Sequence, residues 1–435
     1  MNIDDNKKIC SNRLHVLLIT LHADPSLAPG IKEQGGGHMY PREIAEHLSQ
    51  SGIQVSIFTR RMTSESPLIE ENWHHPLITI YRLDYGNLMF LDKTDFYTHQ
   101  QTSYILAKSL LESYELYPDL IHSFYWNSGF LAWQLSELLN VPYVHSPISL
   151  GAVIKQKQAK TIHVKRIPVE TKVFQHAKYV LCITNSEKND LIKFYNISAG
   201  KIYVIGRPID KEYLSPTHDL YGNPLHSKEY KDNEQYEFTL TENEWWGRKA
   251  FLYVGRIHEN KGLPFIIKAW LSLKSYYGEE CPPLWVAGGT MQDIKDFLSD
   301  QNINPADSQK IVWWGYLSPS GISTLFLKTL AVIMHSKYEP GGRVSLEAMA
   351  AGIPVIATKC GFALDTIRSG ENGFLVNYGD IKALEQTMAL YIANPSLSYQ
   401  TGKNARQTAK KIIEEHNFFA SHDKIYKLAI GIIQE

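Results

Sequence analysis

The chain has 435 residues, 44% hydrophobic and 20% charged, with 44 Lys plus Arg against 45 Asp plus Glu; it is long enough for two domains with separate cores and lacks the basic excess of a nucleic-acid binder. Met1 to Asn12 is polar with no apolar h-region, and no apolar run reaches membrane-spanning length, so neither a signal peptide nor stable membrane insertion is expected. The four cysteines (Cys10, Cys182, Cys281, Cys360) have no ligand-like spacing, and a soluble cytoplasmic protein with reduced thiols and no metal site is expected.

The apolar run at 14–20 predicts a strand buried on both faces. Gly35-Gly36-Gly37 follows in a long loop, and Pro41 opens a helix over 41–49, where its missing N–H does no harm. Strands are then predicted at 55–59, 120–123, 142–145, 180–184 and 202–205, with helices at 102–114, up to 139, at 168–176 and at 187–194. The alternation breaks over 215–248, a polar, aperiodic stretch containing Tyr221-Gly222-Asn223-Pro224 and Trp245-Trp246, which reads as a linker or surface insertion. It resumes with strands at 250–254, 284–287, 311–314, 331–335, 354–357 and 373–376. Helices are expected at 263–274, 291–298, 344–351 and 381–392, with a terminal helical segment through 426–433.

Strict alternation of this kind predicts an α/β protein made of two doubly wound parallel sheets with right-handed crossovers. Residues 1–214 are expected to form one lobe and 249–412 a second, the two facing a cleft. Residues 413–435 are expected to pack back on the first lobe.

Doubly wound sheets bind ligands in the loops after their strands. A dinucleotide fingerprint needs GxGxxG tight after the first strand, but Gly35 lies far beyond Thr20, and Thr59-Arg60-Arg61 stands where an acid would close the second strand. GxSxG, HExxH and the Walker P-loop are absent from the sequence, as is Asp-x-Asp to hold a metal against a diphosphate. Phosphate chemistry must then rest on cations and backbone dipoles.

Val254-Gly255-Arg256 ends a strand and Asn260-Lys261-Gly262 follows in the same loop, two cations with glycines that let the backbone approach a diphosphate. Taken alone, such a pair is more often two solvated charges. A further strand delivers His335 through Glu347, in which Gly341-Gly342 opens a helix whose free N–H groups suit an anion. Glu339 lies before that helix and Glu347 one turn inside it. Each alone reads as an ordinary acid, but together they suit vicinal hydroxyls of a sugar and a ribose.

These residues resemble the retaining family-4 glycosyltransferases of the GT-B fold. The matching text is the Glu339/Glu347 pair, the Arg256/Lys261 loop, the glycine-rich first loop with Gly35 and Gly36, the run from Leu346-Glu347-Ala348 through Pro354-Val355-Ile356-Ala357-Thr358, and Asn372-Gly373-Phe374-Leu375-Val376. The resemblance implies that Arg256 and Lys261 bind the donor diphosphate, with Gly36 and the amides of Gly341 and Gly342 assisting and Arg343 and Val344 beside them. It implies that Glu347 holds the ribose, Glu339 the donor sugar, and the backbone of Gly315, Tyr316 and Leu317 the base. Glu339, Arg256 and Lys261 would then carry catalysis, by steadying the departing phosphate more than the ground state. That phosphate helps deprotonate the acceptor on the donor's front face, so no protein nucleophile is assigned. The nucleotide sugar is a co-substrate, UDP being the expected carrier, and no cofactor is implied.

Within that family the first lobe is similar to the sucrose-phosphate-synthase and mycothiol-type branch, on His22 through Gly36, Ser123 through Gly129, and Ser149-Leu150-Gly151. This implies an acceptor site with His22, Gly36, Lys93, Tyr125, His145, Ser149 and Arg166, and a small, phosphorylated sugar or cyclitol as acceptor. Ile148 stands where the branch usually carries a histidine, which suits a donor without a C6 hydroxyl. Rival readings are an NDP-sugar epimerase or hydrolase, a non-catalytic nucleotide-sugar binder, and a transferase acting on a lipid-linked or natural-product acceptor. The last draws on the basic stretch Lys155, Lys157, Lys160, Lys165 and Arg166. Homodimerisation is left open.

Overall fold

A computed structural model describes residues 13–27, 39–88, 91, 95–158, 162–214, 250–301, 303–304, 307 and 310–434. Gly35, Gly36, Lys93 and the expected insertion at 215–248 lie outside the described residues. The chain divides into two units. One takes the sequence up to Cys182, then Glu187–Ile205, and resumes at Phe418; the other takes Ile183–Ser186 and Gly206–Asn417. Apart from the short excursion at Ile183–Ser186, the chain passes between units at Ile205–Gly206 and Asn417–Phe418. Residues after Gly206 belong with the second unit because Tyr213, only 3% exposed, sits in that unit's core with Phe326 and Leu346.

The first unit is built on β1 (His15–Thr20), β2 (Gln54–Arg60), β3 (Ile69–Glu71), β4 (Ile78–Leu83), β5 (Leu120–Phe124), β6 (Tyr143–Ser146), β7 (Tyr179–Cys182) and β8 (Ile202–Val204). Their order is β3-β4-β2-β1-β5-β6-β7-β8, parallel except that β3 runs against β4. Every residue of β1 is buried, as expected of a central strand covered on both faces. The chain departs from β1 toward β2 on one side and reaches β5 on the other, so the loops after β1 and β5 stand together at a topological switch point.

β3 and β4 are strands that periodicity did not predict. The terminal helix runs Phe418–Ala429 rather than through 433. Its Phe418, Ile425, Tyr426 and Leu428 share one core with Leu18, Ile44, Phe124 and Val144. That core also holds a polar chain. The Tyr40 hydroxyl bonds Ser146 Oγ at 3.0 Å and His422 Nε2 at 2.8 Å, and His122 bonds Ser146 at 2.9 Å and the Tyr426 hydroxyl at 2.5 Å.

The second unit carries β9 (Ala250–Val254), β10 (Leu284–Ala287), β11 (Val312–Gly315), β12 (Thr329–Met334), β13 (Val355–Thr358) and β14 (Gly373–Val376), all parallel, in the order β11-β10-β9-β12-β13-β14. The switch point falls between β9 and β12, both buried along their whole length. The helix Pro395–Glu415 packs on Arg343–Ala350 and was not predicted. It buries small residues, Ser398, Thr401, Gly402, Ala405 and Ala409, so no stripe of large apolar residues announced it. Among the described residues, no helix is long and apolar enough to cross a membrane.

Candidate active site

In the second unit the loops after β9 and β12 are fastened to each other. Gly262 has φ +70°, and a Cβ there would stand 2.0 Å from the carbonyl oxygen of His335. Only glycine allows that approach. The N–H of Lys337 donates to the Asn260 carbonyl at 2.8 Å, a second tie between the same loops. The His335 ring, stacked on Tyr378, accepts the Gly379 N–H at 2.8 Å and so braces the end of β12 from the β14 side.

This bracing sets Lys261 Nζ 2.5 Å from the Glu339 carboxylate, with the two side chains 23% and 22% exposed. Burial pushes the Glu339 pKa up, but Lys261, the positive charge of Arg207 and the Gly342 N–H together hold it below its ordinary value. Glu339 is therefore an anion. The Arg256 guanidinium is half-buried and makes no hydrogen bond or ion pair among the described residues.

Gly342, at φ +51°, is the N-cap of the helix Arg343–Ala350, which has no side-chain cap. A Cβ on Gly342 would meet the Phe362 ring at 2.3 Å. The expectation that the Gly342 amide serves a phosphate meets a different arrangement, since that N–H donates to Glu339. Glu347 is buried within the helix and accepts from Arg343 Nε at 3.0 Å. Val344 packs against the core.

Gly315, Tyr316 and Leu317 leave β11 beside a glycine pair, Gly288-Gly289, that the sequence reading passed over. The Gly288 N–H donates to the Gly315 carbonyl at 2.6 Å, and a Cβ on Gly288 would stand 2.1 Å from the Gly255 carbonyl. Glycines thus follow or end three neighbouring strands, and bare backbone lines the ends of β9, β10 and β11. Tyr316 is 51% exposed there. Arg207 was also passed over; its guanidinium lies against Gly341.

In the first unit, Arg166 joins several predicted residues. Nη1 donates to the Tyr125 hydroxyl at 3.2 Å, and Nη2 to Ser149 Oγ at 3.1 Å and to the Ser149 carbonyl at 3.2 Å. The guanidinium lies 5.1 Å from the centre of the Tyr125 ring, and that ring meets His22 at 4.8 Å. Nε is held by Glu170 at 2.7 Å, an acid the sequence reading missed because one carboxylate on a helix looks like solvated surface. Glu170 also accepts from the Gly151 N–H and the Tyr195 hydroxyl. Asp24, buried on Arg82 at 2.6 Å, fixes the loop after β1 that carries His22.

Tyr125 and Ile148 have φ of +73° and +63°. Such angles are uncommon for side chains of this size and mark strain that the surroundings must hold. Ile148 is the centre of a three-residue turn closed by the Ser149 N–H on the Pro147 carbonyl at 2.7 Å.

His145 is more deeply buried than Tyr125 and Arg166. It is fully buried, bonded to Ser123 Oγ at 2.8 Å and packed on Phe174, and burial lowers its pKa to about 3. A Cβ on Gly129 would meet its ring at 2.7 Å. It is a neutral histidine of the core. Among the described residues, no group of three or more His, Cys, Asp or Glu is placed to hold a metal ion.

Residues 34–213 match the family described as Glycosyltransferase Family 4, and residues 239–408 the family described as Glycosyl transferases group 1. The chain is 27% identical over 368 residues to a D-inositol 3-phosphate glycosyltransferase of Arthrobacter sp. (strain FB24), covering 83% of each protein. It is 24% identical over 392 residues to a mannosylfructose-phosphate synthase of Agrobacterium fabrum, covering 86% of this chain and 82% of that protein. Among solved structures, a sucrose-phosphate synthase of Thermosynechococcus elongatus superposes with a TM-score of 0.78 at 23% identity, over 97% of this chain and all of the other. HepE of Anabaena, in complex with UDP, superposes with a TM-score of 0.65 at 16% identity, over 94% and 99% of the two chains.

Proposed function

The chain belongs to the family-4 glycosyltransferases of the GT-B fold, and from that premise we propose that it transfers a sugar from a UDP-sugar to a small phosphorylated sugar or cyclitol, with retention at the anomeric carbon. The observation that carries the donor half is the fastening of the β9 and β12 loops, which pairs Lys261 with Glu339 at the N-terminus of the helix Arg343–Ala350, with Arg256 on the same β9 loop. As the glycosidic bond breaks, charge grows on the departing phosphate. Cations already seated on it when the donor is bound lower that barrier because they need no further reorganisation. The leaving oxygen takes the acceptor's proton on the same face of the sugar. Arg256 and Lys261 steady the phosphate, Glu339 orients the sugar, and Glu347 holds the ribose.

On the acceptor side, Arg166 supports the reading indirectly. Its N–H groups occupy the acceptor lone pairs of the Tyr125 and Ser149 hydroxyls, which leaves each hydroxyl its own proton to donate to a phosphate oxygen. Three relatives whose names include a phosphorylated sugar or cyclitol point the same way.

A donor-by-acceptor screen with mass detection tests the reading, with phosphorylated and free acceptors side by side and the product anomer read by NMR. A phosphorylated acceptor glycosylated with retention is expected, and Ser149→Ala and Tyr125→Phe should each raise that acceptor's KM about tenfold. Donor turnover without any acceptor would replace the reading with an epimerase or hydrolase.

A further inference from the structure

Arg207 enters the second unit just after Gly206 and lies flat against the donor loop. A Cβ built on Gly341 would stand 2.4 Å from its Nη2, 2.6 Å from Nε and 2.9 Å from Cζ. Gly341, unlike Gly342, is not at positive φ. What keeps position 341 bare is therefore the guanidinium pressed on its Cα, not a backbone angle. Two residues earlier stands Glu339, which feels the charge of Arg207 as well as that of Lys261.

Lys261 has two claimants under the proposed function. It is paired with Glu339 at 2.5 Å, and it is also the cation expected to meet the donor diphosphate. A diphosphate carries more charge than one carboxylate, and the pair is open enough to exchange, with 23% and 22% of its side chains exposed. When the ammonium moves to the phosphate, a half-buried carboxylate would be left facing one backbone N–H, a costly state for a charge.

We propose that Arg207 is a positioning residue of the donor site, holding the Glu339 carboxylate in place when Lys261 leaves it for the donor diphosphate. This rests on the donor reading above and adds to it a division of labour: Lys261 is the exchangeable cation and Arg207 the standing one. Its guanidinium occupies the space a side chain at position 341 would fill, two residues from Glu339. Gly341→Ala, which pushes against the far end of a flexible arginine, should then behave as an Arg207 variant and not as a folding defect.

The test uses the full chain and UDP, with GDP as a second probe, titrated by calorimetry into wild type, Arg207→Gln, Arg207→Lys, Gly341→Ala, Glu339→Gln and the Arg207→Gln/Glu339→Gln double variant. Thermal melts confirm that each is folded. Arg207→Gln is expected to weaken UDP about tenfold and to raise the donor KM more than it lowers kcat. Arg207→Lys should restore most of the loss, and Gly341→Ala should reproduce it. In the Glu339→Gln background the same arginine substitution should cost less than about twofold, because no carboxylate is left to strand. An equal loss with and without the Glu339 charge would overturn the inference, as would a loss confined to kcat. If the wild-type chain bound neither UDP nor GDP, the donor reading itself would fall and the inference with it.

Discussion

Arg166–Glu170 in the first unit and Lys261–Glu339 in the second are both ion pairs beside a switch point, but they are built differently. The Arg166 and Glu170 side chains are 6% and 1% exposed, and the carboxylate is further held by Gly151 and Tyr195. Lys261 and Glu339 keep about a fifth of their surface in water. A sealed pair cannot trade partners without stranding a charge in a low-dielectric site, whereas a half-open pair can. Under the proposed function, Arg166 acts through the hydroxyls it orients, and Lys261 acts in person.

The most severe way to sharpen this contrast is acid. In the first unit, burial lowers His15 to about 4, His145 and His422 to about 3, and His122 well below its usual value. In the second unit burial lowers His335 to about 4. A histidine neutral when folded but protonated when unfolded stabilises the fold fully above its unfolded pKa of 6.5. That contribution fades as pH falls from 6.5 toward the folded value, by up to about 1.4 kcal/mol per pH unit for each such group. Hydrogen exchange between pH 6.5 and 4 should show peptides of the first unit losing protection ahead of those of the second. The opposite order would remove the asymmetry.

Breaking the sealed pair comes next in size. Arg166→Ala leaves Glu170 buried without its cation, and denaturant titration should record a loss of about 3–5 kcal/mol. Lys261→Ala, by contrast, should change stability by less than about 1 kcal/mol while lowering kcat by roughly 10²–10³. Arg256→Ala should match that kinetic loss with the melting temperature unmoved. Should Lys261→Ala unfold the protein and Arg166→Ala spare it, the assignment of roles would be reversed.

The proposed donor site could be assembled from the sequence because its residues are local. Arg256 and Lys261 share one loop, Glu339 and Glu347 flank one glycine-opened helix, and both segments follow apolar strands that announce themselves. Arg207 was not legible. It lies more than a hundred residues from Gly341 in sequence, and only the fold lays it there. Glu170 was hidden for a related reason, since an acid one helical turn after an arginine normally describes a solvated face. β3 and β4 were missed because the short, charged Ile69–Glu71 and the stretch Trp73-His74-His75-Pro76 obscure the strand Ile78–Leu83 behind them. Ile148 was singled out for its chemistry, but its strained angle could not be read from residue type.

The return of Phe418–Ala429 to the first unit has a consequence for biosynthesis. Phe418, Ile425, Tyr426 and Leu428 complete a hydrophobic core whose remaining members leave the ribosome some two hundred residues earlier. Until residues 418–429 are translated, that core is open along Ile44, Phe124 and Val144, and Tyr40, His122 and Ser146 wait for the imidazole of His422 and the phenol of Tyr426. The second unit has all its own residues by Asn417. The half synthesised first is therefore finished last, and it is the half that a nascent-chain chaperone would have to shelter longest.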